Sequence, residues 1–242
     1  MFQRTSGFIL RVTAYQDNSQ ILSVFTKEFG ICSFILKRSQ SFRANKSALL
    51  LLLNQVEIIY LHKEKRDVQL VTEINLLRYY QTFYLETTRA IYLQLWVEVL
   101  RSVLLDFGYQ PEIYQWLGQF LHQLDELSDT IFERTIIGFA ELAQLLGYLP
   151  DIDDTWGAQP IRLNEVLGIF EKTTPNNSEI VPILIINLIL QHEKGTALTK
   201  IPKEYRQRML QCWFKIFQIH ISHFKPPISL TIWESIFKGI KE

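Results

Sequence analysis

Residues 5–36 read TSGFILRVTAYQDNSQILSVFTKEFGICSFIL. Three short runs rich in β-branched and aromatic residues stand out in this stretch, at 8–12, 21–25 and 31–36, separated by the turn-like residues 16–19 and the charged residues 27–30. Such runs suit a pleated, half-buried surface, and the residues between them are the kind that turn a chain. Working outward, the pattern returns at 56–61 and 68–72 across the charged turn 63–67. Five short strands in about 70 residues is the size of a small Greek-key barrel of the OB type. Alternation along the runs is imperfect, as expected where both faces of a strand are partly covered.

After Asn75 the apolar period becomes helical. Ile91, Leu95, Leu100 and Val103 recur over residues 89–105, which stop at Phe107-Gly108. Pro111 opens a helix over 112–124, as a proline in the first turn should. Ser128 and Asp129 can cap residues 131–146, with Gly147 as the stop. Pro202 opens a long helix over 203–223, whose face Met209, Cys212, Trp213, Ile216, Phe217 and His220 keeps the three-four spacing. A short last helix is expected over 232–238, with the capping-box spacing at Thr231 to Glu234, and a loop over 170–178. The sequence therefore predicts an α+β chain. A five-stranded OB-fold barrel occupies residues 1–74 and an all-helical domain follows over 75–242.

Composition narrows the class. Of the 242 residues, 48% are hydrophobic and 21% charged, with ten glycines and eight prolines, which argues against disorder and against a loop-rich scaffold. Cys32 and Cys212 lie far apart within apolar runs, the usual state of reduced core thiols. Arg4 and Arg11 interrupt the early apolar residues, so no secretory signal is expected at the start. The longest apolar run, 180–190, is about half of a membrane span and holds Pro182 and Asn187. A cytoplasmic protein that does not enter membranes is the expectation.

Net charge is zero but unevenly placed. Residues 1–66 hold ten basic side chains against four acidic ones, residues 67–160 four against fourteen, and residues 161–242 eleven against seven. Basic ends around an acidic middle point to the ends as the parts that meet a polyanion. In the first segment the positives cluster: Lys37, Arg38, Arg43 and Lys46 fall between the third and fourth strands, and Lys63, Lys65 and Arg66 between the fourth and fifth. The loop between strands four and five is one wall of the groove in which OB-folds hold a nucleic-acid strand. Cations there neutralise phosphates, and nearby rings (Tyr15, Phe34, Phe42 and Tyr60 are candidates) stack bases without reading their identity. The candidate nucleic-acid residues are Arg11, Lys37, Arg38, Arg43, Lys46, Lys65 and Arg66.

Catalytic constellations do not assemble. No Gly-rich phosphate cradle, nucleophile elbow or kinase set occurs. Asp151, Asp153 and Asp154 lack the register of a calcium loop and read as an exposed acidic loop. His220 and His223, three apart, have no third ligand at useful spacing, and His220 falls on the apolar stripe. The expectation is a binding protein, not an enzyme, with no cofactor and no metal.

The segment Thr5-Ser6-Gly7-Phe8-Ile9-Leu10-Arg11, then Tyr15, then Val24-Phe25-Thr26-Lys27-Glu28-Phe29-Gly30, then residues 37–47, resembles the opening of the RecO DNA-repair proteins. Tyr60 through Gln69 is similar to that family's next strand and turn. Leu145-Leu146-Gly147-Tyr148-Leu149-Pro150-Asp151 resembles its L-G-[YF]-x-P-[DN] segment, and residues 219–237 resemble its final helix pair. Two departures stand out. Where many members carry four zinc-binding cysteines, residues 151–157 contain none, and Arg38 takes the place of a common loop glycine.

The resemblance implies a recombination mediator. Such a protein binds single- and double-stranded DNA, anneals complementary strands, and works with RecR to help RecA replace single-strand-binding protein. It also implies capture of the acidic C-terminal tail of single-strand-binding protein by the helical domain. Lys203, Arg206 and Arg208, on the first turns of the long helix, are the candidate cations for that tail, because their placement opposes the helix dipole and so is not explained by helix stability. Two other readings fit the residues: a protein-interaction adaptor with a small β-domain, and an RNA-binding OB module.

Overall fold

The structure, a computed structural model, describes residues 1–37, 47–105, 107–126, 129–149 and 151–230. Five strands, β1 (Phe2–Tyr15), β2 (Ser19–Thr26), β3 (Gly30–Lys37), β4 (Gln55–Leu61) and β5 (Val68–Arg78), close into a barrel in the order β1-β2-β3-β5-β4. All pairs are antiparallel except β3 with β5, which run parallel over residues 33–35 and 68–70. This is the Greek-key closure of an OB-type barrel, which leaves no free sheet edge. Its interior is filled by Ile9, Leu22, Val24, Phe34, Val56 and Ile58, with Tyr60 and Ile74 beside them.

Helices α1 (Thr82–Leu85), α2 (Thr87–Val103) and α3 (Pro111–Glu126) follow the barrel. Packing divides the chain into two compact units, Met1–Asp125 and Glu126–Glu242. The change from strand to helix, expected at residue 75, thus does not coincide with this division. β5 continues to Arg78, and the first helices pack with the barrel. Trp96 of α2 meets Phe120 of α3 edge-on at 4.6 Å and Trp116 at 5.9 Å. Phe8 and Phe25, on the outside of the barrel, lie against the Tyr114 ring at 5.1 and 5.9 Å. The Tyr114 hydroxyl donates to Ser6 Oγ at 2.9 Å and accepts from Gln55 Nε2 at 3.0 Å. The buried Arg89 donates to the Leu124 carbonyl at 3.1 Å, meeting a carbonyl that α3 leaves open at its end, and pairs with Glu86 at 2.6 Å.

The second unit holds α4 (Ile131–Leu145), the hairpin β6 (Ile161–Asn164) with β7 (Ile169–Lys172), α5 (Ile180–Glu193) and α6 (Lys203–His220). The helical region therefore also carries a two-stranded sheet, part of which falls in the expected loop over 170–178. Four-residue strands are too short to show a period in the sequence. The hairpin is made instead by side chains: Arg162 pairs across it with Glu171 at 2.6 Å, and Asn164 Oδ1 accepts from the amides of Val166 and Leu167. The apolar run at 180–190 forms α5. Its Pro182 sits in the first turn, where a missing N–H costs no hydrogen bond.

The expected apolar face of α6 is buried from Met209 to Phe217. The helix ends at His220, not His223, because the chain turns to bury Ile221 and sets Phe224 against Phe217 at 5.5 Å. The short helix expected over 232–238 lies outside the described residues. No helix among the described residues is long and apolar enough to cross a membrane.

Candidate nucleic-acid interface

One residue of β1 decides what the barrel presents to solvent. The β1–β2 register runs Phe8↔Phe25 and Ile9↔Val24, then skips Leu10 and resumes at Arg11↔Ser23 and Val12↔Leu22. The extra residue is a β-bulge, and it shifts the inward–outward alternation by one. Ile9 and Val12 both face the interior, and Arg11 points outward. Without the bulge Arg11 would share the parity of Ile9 and carry a guanidinium into the apolar core.

Beyond the bulge the outer face of β1, β2 and β3 is a set of cross-strand rows. Arg11 pairs with Ser23 and Ser23 with Ser33. Thr13 pairs with Ile21 and Ile21 with Ile35. Tyr15 pairs with Ser19 and Ser19 with Lys37. The structure so brings Arg11, Tyr15 and Lys37 onto one face, the one that OB-folds use for oligonucleotides. Tyr15 is exposed, and so is Phe29 at the β2–β3 turn, with 53% of its surface open.

Lys65 and Arg66 occupy the β4–β5 turn, which leads directly into the stretch of β5 that pairs with β3. The turn is held by one side chain. Gln69 accepts from the Lys63 amide at 2.9 Å and donates to the carbonyls of Lys63 and Arg66 at 3.1 and 2.5 Å. With its backbone fixed this way, the turn presents its cations to solvent. Among the described residues, Arg11, Lys37, Lys65 and Arg66 form no ion pair, whereas Arg4, not a candidate, is taken up by Glu57 at 3.3 Å. Arg38, Arg43, Lys46 and Phe42 lie outside the described residues.

Two expected stacking rings are not available. Phe34 and Tyr60 face inward, 1% and 3% exposed, and pack edge-on at 5.2 Å. The Tyr60 hydroxyl is bonded to Gln3 Oε1 at 2.7 Å. Aromatic type alone did not separate the two faces of a strand. Phe29, which the composition of its turn did not single out, is an exposed ring of the barrel, as are Phe2 and Tyr15. It borders a cleft of about 420 Å³ with Ile31, Tyr60 and His62.

Sequence reasoning also missed Arg101. It lies in the last turn of α2, in a segment read as part of the helical domain, yet it lines a cleft of about 350 Å³ on the barrel face together with Arg11, Thr13, Ser23 and Ser33. A helix 90 residues from Arg11 in sequence gives no local signal of this meeting.

In the second unit Lys203, Arg206 and Arg208 are not brought together. Arg206 turns inward: its Nε donates to the Ile201 carbonyl at 3.0 Å, its guanidinium reaches the buried Glu133 at 3.6 Å and lies over the Phe132 ring at 4.9 Å. Lys203 is exposed, and Arg208, also exposed, borders a cleft with Glu165, Glu179 and Lys215. The basic run at the start of α6 is explained in part by Glu133, an acid that only the fold brings near. His220 stacks on Tyr148 at 4.3 Å and contacts the Gly168 carbonyl at 3.1 Å, while His223 lies past the helix end. Asp153 caps a short helical turn through the Thr155 amide at 2.9 Å, and the hydrogen bonds it accepts from the Thr155 hydroxyl and then that amide hold its carboxyl below the usual range.

Residues 1–80 match the family model described as Recombination protein O N terminal. The chain is 38% identical over 76 residues to the DNA repair protein RecO of Pelodictyon phaeoclathratiforme, an alignment covering 31% of this chain and 29% of that one. Over nearly the full length it is 22% identical to the DNA repair protein RecO of Flavobacterium johnsoniae, covering 97% of this chain and 98% of that one. It is 26% identical to the DNA repair protein RecO of Prosthecochloris aestuarii, covering 94% and 95%. The barrel is thus matched by the RecO N-terminal family model, and over nearly its full length the chain is similar to RecO DNA repair proteins.

Proposed function

We propose that the protein is a non-catalytic recombination mediator whose barrel binds single- and double-stranded DNA through the backbone. In this reading it anneals complementary strands in the cytoplasm and, with RecR, helps RecA load onto strands covered by single-strand-binding protein. One observation carries the reading: the outward rows of the barrel and the clamped β4–β5 turn collect Arg11, Lys37, Lys65 and Arg66 without a carboxylate partner among the described residues. Unpaired cations gathered on a strand face and its neighbouring turn suit a polyanion, because each phosphate they neutralise releases a condensed counterion. The binding is sequence-tolerant, since backbone contacts carry no base information.

The test is oligo(dT) binding at a series of salt concentrations. At a slope of about 0.7 per phosphate on a single strand, four contacts contribute roughly 3 to the slope of log affinity against log salt. Replacing Arg11, Lys37, Lys65 and Arg66 together with alanine removes most of that. Unchanged affinity and slope would move the DNA site off this face. Tighter binding to an RNA oligomer of equal length would favour the RNA reading, and a salt-insensitive protein ligand the adaptor.

For the second unit, the tail of single-strand-binding protein is assigned to the solvent-facing cations Lys203 and Arg208, with Arg206 left to Glu133. A labelled acidic tail peptide titrated against wild type and Lys203→Ala/Arg208→Ala checks this; equal affinities would remove the site.

A further inference from the structure

The geometry points to a phosphate cradle built jointly by the barrel and the first long helix, in which Arg11 and Arg101 close on one backbone phosphate of a single DNA strand crossing β2 and β3. This site deepens the DNA-binding reading and rests on it. Its parts come from three strands and a helix. Arg11 and Thr13 stand on β1, Ser23 on β2, Ser33 on β3, and Arg101 reaches in from α2. Ser23 is the register partner of both Arg11 and Ser33, so a guanidinium and two hydroxyls form one continuous row.

Two cations in one cleft repel unless an anion lies between them. Among the described residues neither arginine forms an ion pair. Glu98, the acid one turn back on α2, has its Oε1 engaged by Gln94 Nε2 at 2.8 Å. Burial pulls the Arg101 guanidinium below its ordinary value, Arg11 adds to the depression, and Glu98 opposes it. Arginine stays charged at neutral pH under such a shift, so the arrangement stores repulsion that an entering phosphate relieves. An arginine in the last turn of a helix also complements the helix dipole. That role needs no partner on the barrel. The last turn is already closed by the Leu104 amide on the Leu100 carbonyl at 2.9 Å and the Phe107 amide on the Leu104 carbonyl at 3.2 Å.

The helix end is also fixed in place. Gly30, at the start of β3, has φ +71° and sits so close to the α2–α3 loop that a Cβ there would lie 2.5 Å from the Gly108 carbonyl oxygen. The backbone contact locks the loop that follows Arg101 onto the barrel, so the cradle is preorganised. Ile21, Ile31 and Leu105 line the same cleft, apolar surface that suits a sugar or base beside the phosphate.

The experiment is fluorescence titration of labelled oligo(dT) at 50 and 200 mM salt with wild type, Arg11→Ala, Arg101→Ala, the double variant and Arg101→Lys, each checked by circular dichroism for an unchanged fold. One lost phosphate contact at a slope of about 0.7 weakens binding about eightfold at 50 mM and about threefold at 200 mM. Each single alanine variant should show that loss, and the double variant no more than that, because both arginines hold the same phosphate. Arg101→Lys should keep the slope. Wild-type behaviour of Arg101→Ala, or a double variant that loses twice the slope, overturns the cradle while leaving DNA binding by the barrel intact. A wild type that binds oligo(dT) without any salt slope brings down the DNA reading and the cradle together.

Discussion

Replacing Gly30 with alanine tests the contact that docks the α2–α3 loop on the barrel. Two costs arise. At φ +71° an L-residue sits in the left-handed region, at about 1–2 kcal/mol. The new methyl would also lie 2.5 Å from the Gly108 carbonyl oxygen and 2.7 Å from that of Phe107. Both are backbone atoms that cannot swing aside, and an overpacked site of this kind costs about 1–3 kcal/mol more. Gly147 supplies the comparison, since its φ is +77° and a Cβ there meets nothing within 4 Å. Gly147→Ala should therefore cost about 1–2 kcal/mol and Gly30→Ala about 2–5 kcal/mol. With a urea m-value near 2 kcal/mol/M, the midpoints fall by about 0.5–1 M and about 1–2.5 M respectively. Urea unfolding followed by far-ultraviolet circular dichroism measures both. Because the displaced loop follows Arg101, Gly30→Ala should also weaken oligo(dT) binding, and Gly147→Ala should not. Equal midpoints for the two variants would refute the close approach and the preorganisation inferred from it.

Gln69→Leu removes no charge, yet it should weaken oligo(dT) binding severalfold, because the β4–β5 turn loses all three of its clamping hydrogen bonds; wild-type affinity would show that the turn holds its shape unaided. Arg89→Met should destabilise the first unit by about 2 kcal/mol, since the Leu124 carbonyl loses a charged donor in a buried setting, and urea unfolding reads it directly. Burial raises the Cys32 thiol, with Glu28 adding to the rise and the Thr26 hydroxyl opposing it, and burial pushes Cys212 up to about 12. Iodoacetamide at pH 8 should therefore modify Cys32 slowly and Cys212 only in urea, as mass spectrometry of timed samples would show. Cys212 keeps its proton in the fold while the unfolded chain releases it near 9, so its contribution to stability is complete at neutral pH. It is lost as pH climbs from about 9 toward about 12, and Cys212→Ala should flatten that part of the urea-midpoint profile.

The five strands were legible because short β-branched and aromatic runs stand between turn-like or charged segments, and the apolar face of α6 because Met209 to Phe217 recur every three or four positions. The basic β4–β5 turn was legible because Lys63, Lys65 and Arg66 are neighbours in sequence. What the sequence could not display was anything that depends on parity or on distant partners. Phe34 and Tyr60 have the composition of stacking rings, but their register with the core places them inside the barrel. The cations of α6 look alike in sequence, yet Arg206 alone meets Glu133, which lies more than one element away.

The bulge at Leu10 states the difference most plainly. Local sequence makes residues 8–12 a strand, whichever way Arg11 points. Which side receives the guanidinium depends on whether Leu10 is paired or skipped, and that is settled by the partner strand, where Val24 and Leu22 must both face the core. Arg101 follows the same logic at longer range: its helix was readable, but its place beside Arg11 exists only because Gly30 lets two backbones touch. Sequence fixes element type through short-range burial patterns. The binding face is decided by long-range register, where a single unpaired residue reverses every side chain that follows.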